Sequence, residues 1–290
     1  MIRKKSKKAH AQGIARYCAM TREELIGLCD YYTVNDRGSY LGFKDNGGNI
    51  LAVAHIDHHC SGKVHSVSKD KVISSALDDR AGCYIAMNML KEYGITADVL
   101  LTDDEEIGHS TIDMLGQANL YKYNWIVELD RRGTGCVLYG FGEMYQHVTK
   151  YFTVEMGSYS DIVELEEVSP VGAFNMGVGY HREHTEGCYL IMDELISQLK
   201  SLSKMYKDMG DTKVEREHTP CEVNDIKYVD YDDEFYNMYV DYDDDEFYNM
   251  HVDTEHEYDI DWRLDDPNER FDDPNDVEGM LWSKFERWVD

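Results

Sequence analysis

The sequence predicts an α/β fold: a three-layer sandwich in which helices cover a mixed, mostly parallel sheet, followed by an acidic C-terminal extension. Three observations carry this expectation. Between residues 14 and 210, short apolar runs alternate with segments of helical period, the pattern of strands joined by crossover helices. Several of these apolar runs end in a cluster of His, Asp or Glu. Beyond residue 221 the composition breaks: residues 222–290 hold 25 Asp and Glu against 5 Lys and Arg.

The elements follow in order. Arg3, Lys4, Lys5, Lys7 and Lys8 crowd the start, and residues 1–13 read as a solvated basic tail. Thr21 with Glu24 three residues on is a capping box, and Leu25, Leu28, Cys29 and Tyr32 give the following helix one apolar stripe. Tyr40–Lys44 and Asn49–Ala54 flank Asp45-Asn46-Gly47-Gly48 and read as a hairpin. Asp98–Thr102, Asn124–Leu129 and Gly172–Val178 are apolar strands, with Cys136–Phe141 and Tyr151–Met156 as further ones. Helices are expected over Arg80–Tyr93, Thr111–Leu120, Asp161–Glu167 and Leu190–Lys207. The last places Ile191, Leu195, Leu199, Leu202 and Tyr206 on one face. Residues 14–210 are taken as one domain.

Residues 211–290 differ in kind. Val229–Val240 and Val240–Val252 are a near-exact tandem duplication, too short for a solenoid repeat. Repulsion among so many carboxylates opposes compaction, and the segment reads as a flexible tail. Val277, Leu281, Phe285 and Trp288 would share one face of a terminal helix.

Bulk charge excludes some partners. With 57 acidic against 29 basic residues the net charge is −28, so no broad basic face is available for a nucleic-acid backbone. The seven cysteines form no C-x-x-C pair and read as reduced thiols. The start lacks the apolar core of a signal peptide, and no apolar run approaches the roughly 20 residues that span a bilayer. A cytoplasmic protein without membrane or nucleic-acid partner is expected.

Five clusters carry the chemistry. His55 follows an apolar strand, where sites in α/β sheets lie, and Asp57 is placed to accept its second ring N–H. Asp78-Asp79-Arg80 precedes a helix: one carboxylate suits the helix N-terminus, and the other is free to bridge cations. Asp103-Asp104-Glu105-Glu106 follows the strand 98–102. Four adjacent carboxylates are costly unless solvated or facing a cation; one Glu could bind metal while its neighbour accepts a proton from water. Glu128-Leu129-Asp130 ends another strand, and His181 and His184 follow the strand 172–178.

Taken together, H-x-D, D-D-R-x-G, E-E-x-G, an Asp after a strand and a late His-Thr before the last helix resemble the co-catalytic zinc exopeptidases. These include the leucyl, tetrahedral and glutamyl aminopeptidases and related carboxypeptidases and deacylases. The resemblance spans roughly residues 40–208 and implies a phosphorylase-like α/β sandwich of the compact aminopeptidase branch. It also implies two Zn2+ per chain, with Co2+ or Mn2+ as substitutes. In it His55 and Asp130 hold one ion, Glu106 and His184 the other, and Asp78 bridges them. Asp57 orients His55, and Glu105 is the general base that activates water against an amide carbonyl. His184 is preferred over His181 because Thr185 matches the family's His-Ser/Thr. Gly157-Ser158-Tyr159-Ser160-Asp161 resembles a family turn, with Asp161 expected to cap a helix. Only 22 residues separate His55 from Asp78, so the domain that some members insert there does not fit.

The expected function is aminopeptidase hydrolysis of a peptide or small N-terminal amino-acid substrate, since a free ammonium suits a mildly acidic body. An N-acyl amino-acid deacylase or a carboxypeptidase on the same site is the alternative, with Arg131, Arg132 and Arg182 near enough to clamp a carboxylate. A non-catalytic scaffold whose acidic tail binds a basic partner is the rival from another class. A homo-oligomer is compatible with each.

Overall fold

The computed structural model describes residues 4–216. Its centre is a seven-stranded mixed sheet in the order β1-β2-β6-β3-β7-β9-β8. The strands are β1 (Tyr31–Val34), β2 (Tyr40–Lys44), β3 (Ile50–His55), β6 (Ala97–Thr102), β7 (Ile126–Arg131), β8 (Cys136–Val137) and β9 (Ala173–Gly177). The four central strands, β6, β3, β7 and β9, run parallel. Every residue of β3, β6 and β9 is buried, which is why these strands read as continuous apolar runs rather than alternating ones.

The strand order decides where a site can form. From β3 the chain moves to β6 on one side, whereas from β7 it moves to β9 on the other. Connections leaving in opposite directions open a crevice between the carboxyl ends of β3 and β7. His55 is the last residue of β3, and Asp130 lies near the end of β7.

Helix α3 (Leu77–Tyr84) packs on β3 and β7. It continues through a π-turn over Ile85–Met89 and a 3-10 turn over Leu90–Tyr93, filling the span 80–93 predicted as helical. The last helix, α5 (Met192–Met209), packs against β9 with Leu195, Leu199 and Leu202 buried. Helix α2 (Arg22–Ile26) has the predicted capping box: Glu24 N donates to Thr21 Oγ1 at 3.2 Å and Thr21 N to Glu24 Oε2 at 2.8 Å. It stops at Ile26, however, and of its expected stripe Leu28 and Tyr32 are exposed.

Several expectations are corrected. The basic start is not a tail: α1 occupies Lys7–Ala19, buries Ala11, Ile14, Ala15 and Cys18, and packs on α3. Its small apolar residues make a stripe too weak to stand out in a charged context, and Lys7 is held by Asp70 and Asp193. At the other end the fold runs past residue 210. Val214 is buried, and its backbone bonds Gly172 and Asn124.

The expected hairpin of β2 and β3 does not form, because β6 lies between them. Asp98, near the start of β6, accepts from Asn46 N at 3.0 Å and Gly48 N at 2.8 Å, so the turn crosses the end of β6 instead of reversing beside β2. Residues 111–122 form two 3-10 turns broken at Gly116 rather than a helix. Of the strands expected over 136–141 and 151–156, only Cys136–Val137 and a bridge from Cys136 to Val154 appear. The acidic repeat and the expected terminal helix lie outside the described residues.

A second sheet was not legible in the sequence. β4 (Val64–Val67), β5 (Lys71–Ser74), β10 (Tyr180–His181) and β11 (Tyr189–Ile191) join in the order β10-β11-β5-β4. It ties the segment entering α3 to the loop that carries His184. Among the described residues, no helix is long and apolar enough to cross a membrane.

The entry to α3 depends on Gly82. Asp79 Oδ1 accepts from Gly82 N at 2.7 Å, and a Cβ at 82 would lie 2.2 Å from Asp79 Oδ2 and 2.3 Å from Leu129 O. Gly82→Ala is therefore expected to lower stability by about 1–3 kcal/mol. Denaturant unfolding measures this, and an unchanged midpoint would show that the turn can shift.

Candidate metal centre

Asp78 and Asp79 take different parts. Asp79 turns inward, where it satisfies the first turn of α3. Asp78 turns towards the crevice and presents its two oxygens to two histidines. His55 Nε2 lies 3.4 Å from Asp78 Oδ1, and His184 Nε2 lies 3.2 Å from Asp78 Oδ2. Around His55 Nε2 stand also Asp130 Oδ1 at 3.5 Å and Glu105 Oε2 at 3.7 Å. Around His184 Nε2 stands Glu106 Oε2 at 3.0 Å. The structure thus brings together His55, Asp78, Glu105, Glu106, Asp130 and His184, with Asp57 behind His55.

Local structure explains each placement. Asp57 Oδ1 lies 3.2 Å from His55 Nδ1, and its Oδ2 accepts from Glu106 N at 3.0 Å. The loop after β3 is thereby fastened to the loop after β6. His59 N donates to Glu106 Oε1 at 3.0 Å, leaving Oε2 to face His184. The acidic run divides in two. Asp103 takes Arg22 and the Tyr40 N–H, and Asp104, at φ 72°, takes the Ser39 hydroxyl at 2.6 Å. The first pair is structural, and the tight turn aims the second pair at the crevice.

Of the two late histidines, His181 bonds Glu194 at 2.7 Å, stacks on Tyr189 and stays away from the cluster. His184 sits in the loop between β10 and β11. That hairpin is fixed to β5 by the pairing of Leu190 with Val72, and Ser74 N donates to Cys188 O at 3.0 Å.

Sequence reasoning gave three neighbouring side chains no part beside the cluster. Tyr180 is buried, and its hydroxyl meets both Asp78 and Asp130. Glu128 is buried in β7 and accepts from the Ser160 hydroxyl and from Asp161 N. Asp161 is not the expected helix cap: it accepts from the hydroxyls of Thr102, at 2.5 Å, and Ser110. A Glu in an otherwise apolar strand was the one available signal.

The electrostatics describe a centre short of positive charge. Burial alone would depress His55, but Asp130, with Asp57 and Asp78, raises it well above its ordinary value. Hydrogen bonds to Asp78 and Glu106 raise His184 to about 10. Asp130 is pushed well up by burial and by the charge of Asp78. Glu105 is pushed up to about 7 by burial, with Asp161, Asp78 and Glu106 adding to it. The metal-free cluster holds protons where cations would otherwise balance its carboxylates.

The donor set fits a divalent metal. His55 Nε2 is fully buried with no hydrogen-bond partner, an unsatisfied atom that a protein rarely tolerates. Ligand atoms of His55, Asp78 and Glu106 all lie within 4.8 Å of one another. Imidazole and carboxylate together suit zinc and its first-row neighbours.

Residues 47–129 match the family model of the M42 glutamyl aminopeptidases. The chain resembles the M42 peptidases. The matched segment is that of a peptidase, and it holds His55, Asp57, Asp78, Glu105 and Glu106, while Asp130 and His184 lie beyond it. No curated protein matches the chain. Among solved structures it is similar to an aminopeptidase from the archaeon Desulfurococcus kamchatkensis, at 13% identity over 69% of this chain and 94% of that one, with a TM-score of 0.49. It is similar also to aminopeptidase PepT from Bacillus cereus, at 12% identity over 69% and 98%, TM-score 0.49. A third is the Pyrococcus horikoshii TET1 peptidase, at 14% identity over 67% and 99%, TM-score 0.44.

The raised groups have a consequence for stability. Asp161, lifted to about 6 by burial, and Glu105, lifted to about 7, bind protons more tightly folded than unfolded. Their contribution is present at low pH and lost as pH rises through those values. The chelator-treated chain is expected to melt at a lower temperature at about pH 8 than at about pH 5.5, and saturating zinc should flatten the difference. A melting temperature that rises over this range in chelator would contradict the charge balance described.

Proposed function

We propose that this protein is a metallo-aminopeptidase that hydrolyses the amide bond after a free N-terminal residue. One observation carries the reading: two histidines and three further carboxylates gather around Asp78, whose oxygens face the two imidazoles separately. In this reading His55 and Asp130 would hold one divalent cation and Glu106 and His184 the other, with Asp78 available to both. Zinc suits these donors, with cobalt or manganese as substitutes. When bound, the cations lower the pKa of a shared water and polarise the scissile carbonyl.

The chain's own groups do the rest. Asp57 accepts a hydrogen bond from Nδ1–H of His55 and so keeps the Nε2 lone pair directed at the cluster. Glu105, at the rim of the His55 half, accepts the water proton on Oε2 and returns it to the leaving amine. His184 is half exposed, which leaves the centre open to substrate from that side.

The acidic centre favours a substrate ammonium over a carboxylate. Arg131 is held by Glu155 and by the Met156 carbonyl, and Arg132 by Glu183, so neither stands ready as a clamp for a carboxypeptidase or deacylase. Among the described residues six cysteines are free, four of them buried, which fits a cytoplasmic setting.

Two substitutions test the assignment. Glu105→Gln is expected to lower kcat by about 10²–10⁴-fold while zinc content stays normal. Asp78→Ala should lose zinc along with activity on aminoacyl substrates. Near-normal turnover in the first variant would remove Glu105 as the base; a chain that never binds zinc would remove the metallopeptidase reading.

A further inference from the structure

Tyr180 lies on β10, almost fully buried. Its hydroxyl oxygen is 3.0 Å from Asp130 Oδ1, 3.2 Å from Asp78 Oδ1 and 3.2 Å from the Asp130 carbonyl. Those two carboxylate oxygens are the same two that face His55 Nε2, at 3.4 and 3.5 Å. The oxygens facing His184, Asp78 Oδ2 and Glu106 Oε2, belong to the other side. The phenol contacts are therefore asymmetric: they gather the donors of one half of the centre.

A phenol has one proton to donate. Placed between two carboxylate oxygens, it gives both a common positive pole and offsets their mutual repulsion. The backbone supports this placement. Tyr180 pairs with Leu190, and Leu190 with Val72 on β5, the strand that leads into Asp78. The hairpin that delivers His184 to one half thus also delivers the phenol to the other.

We propose that Tyr180 is a positioning residue that sets the cation affinity of the His55–Asp130 half separately from that of the Glu106–His184 half. This rests on the reading of the cluster as a two-cation centre. The phenol holds Asp78 Oδ1 and Asp130 Oδ1 at a common point before any cation arrives. Without it the two oxygens repel, and a cation at His55 must order them itself. Donors that hold ligating carboxylates in this way are typically worth about 10–100-fold in metal affinity.

The test is a zinc titration of the full metal-stripped chain in competition with a chromophoric chelator, for the wild type and Tyr180→Phe. Phenylalanine keeps the ring and removes only the hydroxyl. The wild type should bind two ions. In the variant one ion should weaken by about 10–100-fold, the other staying within about threefold. The half is identified by background. With Glu106→Ala the remaining ion should show the full loss on adding Tyr180→Phe; with Asp130→Ala it should show none.

Equal weakening of both ions, or of neither, overturns the proposal while leaving the two-cation reading intact. A wild type that binds one ion or none overturns both. Metal-free melting curves check that the variant folds. Should it not, 3-fluorotyrosine at position 180 keeps the shape and strengthens the donor. A zinc affinity that shifts for one ion supports the proposal, and affinities unchanged for both overturn it.

Discussion

The structure is organised around a carboxylate that cannot be buried on its own. Asp78 is almost completely removed from solvent, yet the imidazoles of His184 and His55 beside it outweigh burial and keep it well below the ordinary carboxylate range. An ionised group in that position needs opposite charge or strong donors close by. The surroundings of Asp78 answer this demand: two imidazoles, one phenol, and a crevice of the right chemistry for divalent cations. The two sheets and the packing of α3 on β3 and β7 both bear on where this side chain points.

The same demand accounts for a division of labour among neighbouring acids. Asp79 beside Asp78, and Asp103 and Asp104 beside Glu105, are spent on the fold: a helix turn, an arginine, a backbone N–H and a serine. Glu128 and Asp161 form a further buried layer, satisfied by Ser160, Thr102 and Ser110. Asp161 in that layer adds negative potential near Glu105 and helps to hold its proton affinity high. Acidic residues in one region therefore act in three ways: as scaffold, as facing donors, and as background charge on the group proposed to move a proton.

Two loops make the centre one unit. Asp57 links the His55 loop to the Glu106 backbone, and β10–β11 links His184 to the strand before Asp78. A displacement in either loop would move donors on both halves. This coupling explains how a centre can be held in place with few residues between its first two clusters, where there is no room for an inserted domain to brace it.

The sequence by itself determined the parallel core and where its polar ends fall. The apolar runs read at 49–54, 98–102, 124–129 and 172–178 become, within a residue or two, β3, β6, β7 and β9, because strands covered on both faces tolerate little else. It also marked His55, Asp57, Asp78, Glu105, Glu106, Asp130 and His184, since clustered His and carboxylates at strand ends have few inexpensive structural uses. Tertiary structure alone decided the rest. The break of the expected hairpin depends on β6 entering between β2 and β3, a long-range pairing that no local turn signal encodes. The placement of His184 beside Asp78, with His181 turned to Glu194, depends on a hairpin clamped to β5, and the contact of Tyr180 with Asp78 spans 102 residues of sequence. Local patterns report which face of an element is buried; which distant side chains then share that buried space is fixed only when the strands are in register.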